Sequence, residues 1–489
     1  MSEKKDIYNG PLEKVSDYCW RIPKSYKPGM RVDGLIFASQ KLIQEIRKDQ
    51  APEQVANVAF LPGIQYASIA MPDIHWGYGF SIGGVCATDP EEDGVICPGG
   101  IGYDINCGVR LVKTNLFYED IQSHLKQLVK ELFIEIPTGV GRSGKYKFDK
   151  KELKKLMAEG VPYLLRRGLA AERDIEYTEA GGKLDDAEPE NVSERALERG
   201  AEQCGTLGSG NHFLEIQIVD KIWDPEIAAV IGIEPGQVCV MIHSGSRGLG
   251  YQVCDDALKM LRDVPAKYGI KLPDKQLACA PVDSPEGRKY IGAMRAAANF
   301  AWCNRQLLMW QTREVFESVF GQSWQQLQMN LIYDVAHNIA KFEKHEVEGK
   351  EKKVWVHRKG ATRAFPPNHP EIPDMYRKIG QPVIIPGDMG RASWLMVGNA
   401  ASMEKTFGTT CHGAGRMLSR TAAVKKAQGR RIDQELEEKG VLALARSWKG
   451  LAEEHPMAYK NVDDVVDVVH KAGITQKVAR LRPIGVIKG

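Results

Sequence analysis

The sequence predicts an α+β body with a mixed, largely antiparallel β core, helices outside, and loops converging on a hydrophilic cleft. Three observations predict it: apolar residues recur at helical spacing, short β-rich runs end in glycine or basic turns, and no fixed-period repeat or low-complexity tract appears. Taken in order, Ile121, Leu125, Leu128, Val129 and Leu132 fall on one helical face. Lys150 to Gly200 is charged and helix-prone, with a Gly-Gly pair and an Asp/Glu/Pro cluster, and reads as a surface insertion in one domain spanning 1–489. Val238 to Ile242 reads as a strand, Pro285 to Phe320 as a long, mostly buried helix, and Val354 to Val356 and Pro382 to Ile385 as further strands. Leu331, Val335 and Ile339 recur at helical spacing, which predicts an amphipathic helix around His337.

Composition narrows the function. Hydrophobic residues make up 43% of the 489 and charged residues 26%, ordinary globular usage that excludes disorder, fibres and coiled coils. No apolar run reaches the roughly 18 residues of a spanning helix, and the polar opening MSEKKDIYNG lacks a signal-peptide pattern, so a cytoplasmic location is expected. Ten cysteines without a C-x-x-C pair point to reduced thiols rather than disulfides or a zinc ribbon. Lys plus Arg number 66 against 63 Asp plus Glu, so any nucleic acid must bind a local basic cleft.

Several clusters can carry chemistry. PGGIGYDINCGVR brings Asp104 and Cys107 together on flexible backbone, where a carboxylate and a thiolate can reach a divalent ion; a buried cysteine beside a turn aspartate gives the same pattern. GTLGSGNHFLEI offers Asn211, His212 and Glu215, or else a capped element with a core histidine. VMIHSGSRG ends a strand at His243 and puts Arg247 in a Ser/Gly turn suited to phosphate. TTCHGAGRMLSRTAAV places His412 before glycines and a helix-prone run, which predicts a helix N-terminus able to hold a phosphate, with Arg416 as a clamp. His75 reads as a supporting residue. His345, His357 and His369 lie in surface-like stretches, and His124, His455 and His470 read as surface or helix-packing residues. The apolar tail LRPIGVIKG argues that the segment bearing Lys488 docks.

In order, D-I-N-C-G, G-x-G-N-H-F-x-E, H-S-G-S-R-G, D-V-A-H-N, P-G-D-M-G, C-H-G-A-G-R and R-P-I-G-V-I-K-G closely resemble the RtcB family of GTP-dependent RNA ligases, from about Met30 onward. The resemblance implies an RtcB-like body using GTP and two manganese ions. Cys107 would bridge the ions, Asp104 and His212 completing one site and His243 and His337 the other. Asn211, His212, Phe213, Leu214, Glu215, His337, Asn338, Pro386, Gly387, Asp388, Met389, Ser393, Gly413, Ala414, Gly415, Tyr459 and Lys488 would surround the guanine nucleotide, and His412 would be the nucleophile. Similar enzymes join RNA 2′,3′-cyclic phosphate or 3′-phosphate ends to 5′-hydroxyl ends in tRNA splicing or repair. An archease-type activating protein often accompanies them. Arg247 and Arg416, with Arg110 and Arg142, are candidate RNA phosphate contacts. Asp388 stands where the family more often has a small hydroxyl residue, and its charge near phosphates calls for an offset such as Arg391.

Two other readings fit the same residues. A dinuclear metal phosphoesterase would use His412 as a proton donor or ligand and need no GTP. A non-catalytic RNA-binding subunit would need basic and aromatic clustering that the near-balanced charge does not display.

Overall fold

The computed structural model describes residues 7–139 and 141–489. Two large sheets both contribute to one hydrophobic core. One has eight strands: seven run in spatial order Asn330–Ala336, Gly108–Phe117, Gln237–Ser244, Phe213–Ile222, Thr475–Lys488, Ser393–Gly398 and Pro382–Ile385, and Leu442–Ala445 pairs in parallel with Thr475–Lys488. The other has seven strands, among them Asp33–Phe37, Ile64–His75, Ile82–Thr88, Lys350–Lys359 and Asn338–Val347. Among the described residues of these two sheets, only Asp33–Phe37 with Ile64–His75, and Leu442–Ala445 with Thr475–Lys488, pair in parallel. The α+β class and the largely antiparallel core agree with expectation, as do the strands at 238–242, 354–356 and 382–385.

The helix Pro285–Phe320 lies where the sequence put it, with Ser284 accepting from the Gly287 N–H as N-cap and Gly321 closing it in the left-handed region at φ 65°. Its length comes from burial on nearly every face. Residues 150–200 form short helices, of which Lys150–Glu159 and Glu194–Ala201 contribute Leu153, Leu156, Met157, Ala196 and Leu197 to a core shared with the long helix. That segment also buries Asp174 and Glu179, ion-paired with Arg313 and Lys341.

Around His337 the expected helix is not formed. Asn330–Ala336 is a strand buried on both faces, and apolar residues on both faces show helical spacing as readily as strand alternation. His345 and His357, expected near the surface, are buried; His345 faces Glu343 at 3.0 Å and His357 Nε2 accepts the Cys97 N–H at 3.2 Å.

The buried polar groups of the long helix position the site. Arg305 donates to Asp334 from Nε at 2.9 Å and Nη2 at 2.8 Å, and to the Asn106 and Ser244 carbonyls at 2.7 and 3.0 Å. Arg110, an expected RNA contact, instead lies fully buried with its Nε donating to Asp334 at 2.8 Å. Asp334 therefore balances two buried guanidinium groups. Asp334→Asn is expected to cost about 3–5 kcal/mol in denaturant unfolding, since one side of a buried ionic cluster is removed. A loss below about 1 kcal/mol would show that the cluster is not balanced by this carboxylate.

Candidate metal centre and nucleotide cleft

Four neighbouring antiparallel strands end at the same edge of the eight-stranded sheet. Gly108 pairs with Ala336 on one side and Ser244 on the other, and Phe213 pairs with His243. A strand spacing of about 4.8 Å thus lines up His337, Cys107, His243 and His212 at successive strand ends. Gly245 makes room for Asp104, because a Cβ there would strike the Asp104 carboxylate. The Ser246 N–H donates to Asp104 Oδ1 at 2.9 Å.

The result is two triads sharing one sulfur: Cys107, His243 and His337, and Asp104, Cys107 and His212, the ligand atoms of each lying within 4.8 Å of one another. Cys107 Sγ is 3.3 Å from the Nε2 atoms of both His212 and His243, His243 Nε2 is 3.3 Å from His337 Nε2, and His212 Nε2 is 2.9 Å from Asp104 Oδ2. The opposite ring nitrogens of His212 and His243 face the Leu207 and Asn211 carbonyls, each at 3.1 Å. At His243 the carbonyl fixes the Nδ1–H tautomer and turns the Nε2 lone pair toward the sulfur, as in metal-bound histidines; at His212 the Leu207 carbonyl shares Nδ1 with Arg247 Nη1, also at 3.1 Å.

Electrostatics agrees with that chemistry. Burial pushes all three imidazoles down, keeping them neutral as ligands must be. Burial pushes Asp104 up, yet its contact with His212 and then the Arg247 guanidinium more than reverse this and hold it well below the usual carboxylate range. Burial and the charge of Asp104 push the Cys107 thiol well up, so a thiolate there needs a cation beside it. One thiolate, three imidazoles and one carboxylate fit borderline divalent metals better than calcium or magnesium.

A cleft of about 390 Å³ opens beside the triads. Its walls include Asp104, Cys107, Asn211, Phe213, Glu215, His243, His337, Asn338, Pro386, Gly387, Asp388, Met389, His412, Gly413, Ala414, Gly415, Arg416, Tyr459 and Lys488. Leu214 is not among them; strand alternation turns its side chain into the core on the other face. Ser393 is buried behind the wall, accepting from Gln217 Nε2 at 3.2 Å and the Gly387 N–H at 3.3 Å. His212 reaches the cleft only through the triad it shares with Cys107.

His412 stands at the end of the strand Thr409–Cys411, with its ring centroid 4.9 Å from that of His337. The expected helix N-terminus is displaced: the helix begins at Arg420, capped by Ser419, and the glycines after His412 form a loop instead. In that loop Gly415 has φ 73°, and a Cβ would collide with the backbone of Asp73. The anchor that sequence reasoning missed is Asp73 itself. Its Oδ2 meets His412 Nδ1 at 2.6 Å and accepts the backbone N–H groups of His412 and Gly413 at 3.0 and 3.3 Å. With Nδ1 held, Nε2 is the ring nitrogen left for the cleft. His75 also lines the cleft, its Nδ1 on the Asp73 carbonyl at 2.9 Å, and burial lowers it to about 3.

Arg416, expected as a phosphate clamp, is spent internally. It donates to Glu454, to the Tyr459 hydroxyl, and to the Leu418 and Glu453 carbonyls at 3.0, 3.0, 3.1 and 2.7 Å. Arg420, overlooked in the sequence, lines the cleft with its side chain 53% exposed and only a 3.5 Å approach to Glu454. Arg247 has φ 55°, a strained value for a side-chain-bearing residue, and sets Nη1 3.1 Å from His212 Nδ1. Arg142 is exposed and absent from the cleft walls. Lys488 donates to the Gly210 carbonyl at 2.8 Å, while burial pushes Glu215 nearby up to about 7.

Asp388 has its expected offset: Arg391 Nε lies 3.3 Å from Oδ2. Burial still raises its carboxyl to about 6, outweighing Arg391. A raised folded-state value means that ionisation costs stability, a penalty absent below pH 4 and complete above pH 6. Asp388→Asn is therefore expected to stabilise the fold at pH 7–8 by about 2 kcal/mol and to have no effect at pH 3.5. Equal effects at both pH values in urea unfolding would rule out the carboxylate as the cause.

A family model described as "tRNA-splicing ligase RtcB" matches residues 54–489. The chain is 56% identical over 480 residues to a protein of Archaeoglobus fulgidus named tRNA-splicing ligase RtcB, covering 98% of this chain and 99% of that one. Proteins of the same name from Methanococcus maripaludis and Thermococcus kodakarensis are 53% and 52% identical, again over 98% of this chain and 99% of theirs. With likeness of this extent running across every strand end that supplies a cleft residue, the chain belongs to the RtcB family.

Proposed function

We propose that the chain is a GTP- and manganese-dependent RNA ligase that joins 2′,3′-cyclic phosphate or 3′-phosphate ends to 5′-hydroxyl ends, in tRNA splicing or RNA repair. The observation that carries this reading is His412: a histidine fixed through Nδ1 by a buried carboxylate and turned toward a cleft beside two metal-binding triads. A dinuclear metal phosphoesterase, whose nucleophile is a metal-activated water, needs no such histidine.

Asp104, Cys107 and His212 would hold one manganese ion and Cys107, His243 and His337 the other, neutralising charge on the triphosphate. The guanine nucleotide would lie among Asn211, Phe213, Glu215, Asn338, residues 386–389 and 413–415, Tyr459 and Lys488. His412 Nε2 attacks the α-phosphorus; an N–P bond forms, the bond to pyrophosphate breaks, and the departing oxygen takes the electron pair. Asp73 stabilises the positive charge that the ring acquires. GMP then passes to the RNA 3′-phosphate, and the 5′-hydroxyl of the second strand displaces it. Arg247 would contact RNA phosphate, a role for which Arg416, with four of its five N–H donors already engaged, is poorly placed. Among the described residues no helix is long and apolar enough to cross a membrane; the chain would meet its RNA in the cytoplasm. An archease-type protein would assist.

The test is direct. With α-labelled GTP and manganese the chain should acquire label that is lost in acid, survives alkali, and maps to the peptide bearing His412. Unlabelled protein in a preparation that seals RNA would overturn the mechanism.

A further inference from the structure

We propose that Lys460 is a positioning residue for Asp73 and His412, clamping the strand segment that carries Asp73 and supplying the buried positive charge that balances its carboxylate. The inference rests on the reading of His412 as the guanylylated nucleophile.

Lys460 is 5% exposed. Its Nζ donates to the carbonyls of Pro72 at 3.0 Å and Ile74 at 2.6 Å, the two residues that bracket Asp73. Its own backbone N–H donates to the Gly415 carbonyl at 3.0 Å, and Arg391 Nη1 donates to its carbonyl at 3.2 Å. One residue thus ties the strand behind the nucleophile to the glycine loop in front of it.

Charge makes this more than packing. Asp73 is fully buried, and its Oδ1 has no hydrogen-bond partner. An ionised carboxylate in that state is costly unless a positive charge lies close by. Lys460 makes its hydrogen bonds to carbonyls, so its charge is left to act through space on Asp73. Burial lowers its ammonium to about 8, with Asp73 opposing the fall, so it is mostly charged at neutral pH. An ionised Asp73 accepts from His412 Nδ1–H and leaves the Nε2 lone pair free. A protonated one would donate to Nδ1 and move the ring proton to Nε2, where it blocks attack.

Single-turnover guanylylation of the full-length chain tests this, with Lys460→Met and Lys460→Arg made in the native and Asp73→Asn backgrounds. Lys460→Met is expected to lower the maximal rate about 10- to 100-fold while half-saturating GTP and bound manganese stay within about 2-fold, and Lys460→Arg to recover part of the loss. In the Asp73→Asn background the same change should cost less than about 3-fold, because no carboxylate remains to balance. Should Lys460→Met not fold, Lys460→Gln keeps a donor for the carbonyls without the charge and takes its place. An unchanged maximal rate, an equal loss in both backgrounds, or a change in GTP or metal binding alone would overturn the assignment. Failure of the native chain itself to form an adduct would overturn the ligase reading instead.

Discussion

His412→Ala is expected to reduce guanylylation by at least about 10⁴-fold, since no other group takes over when a covalent nucleophile is removed. The substituted chain should still fold and bind metal. Position 412 keeps its backbone N–H, which with that of Gly413 still donates to Asp73 Oδ2, and none of the five triad residues is altered. The carboxylate loses only its contact with Nδ1, a loss of about 1–3 kcal/mol. Protein-bound label from GTP that survives alkaline denaturation, bound manganese and the unfolding midpoint are the readouts. Label at the native rate would remove His412 from the mechanism.

Cys107→Ser is expected to fail differently. The sulfur is the one atom common to both triads, and a serine hydroxyl does not ionise in the range where a metal-bound thiolate does. Bound metal should fall from two ions toward none. Guanylylation should drop by three or more orders of magnitude, about 4 kcal/mol at the transition state. Together the two substitutions separate metal holding from bond making: one loses activity with metal retained, the other loses both. Cys107→Ser retaining two ions by elemental analysis would show that the sulfur does not bridge them.

The candidate metal donors sit at strand ends, four of the five in glycine-rich segments, and the ordered set of such short patterns, through the family resemblance, is what picks them out along the chain. The partner of His412 is not readable. Asp73 lies 339 residues away in an apolar strand, and no local signal marks a carboxylate whose role depends on a loop made so much later. The same limit explains Arg110 and Arg416: a basic residue near a glycine motif looks like a phosphate contact until Asp334 and Glu454, distant in sequence, claim it. Local pattern also misled at two elements. The glycines after His412 resemble a helix start, yet the chain is still leaving a strand there, and Gly415 serves close approach to Asp73 rather than capping. Leu331, Val335 and Ile339 show helical spacing only because the strand Asn330–Ala336 carries apolar residues on both buried faces and the next strand continues them.

The strand Thr475–Lys488 sits in the interior of the larger sheet, flanked by Phe213–Ile222 on one side and Ser393–Gly398 and Leu442–Ala445 on the other. During synthesis this strand leaves the ribosome after every neighbour it pairs with. Until then three partners wait with open edges, a state prone to sticking to other chains. A pause in elongation between Ser393–Gly398 and Thr475–Lys488 should therefore raise the tendency to aggregate more than an equal pause before Phe213–Ile222, when those edges are not yet made.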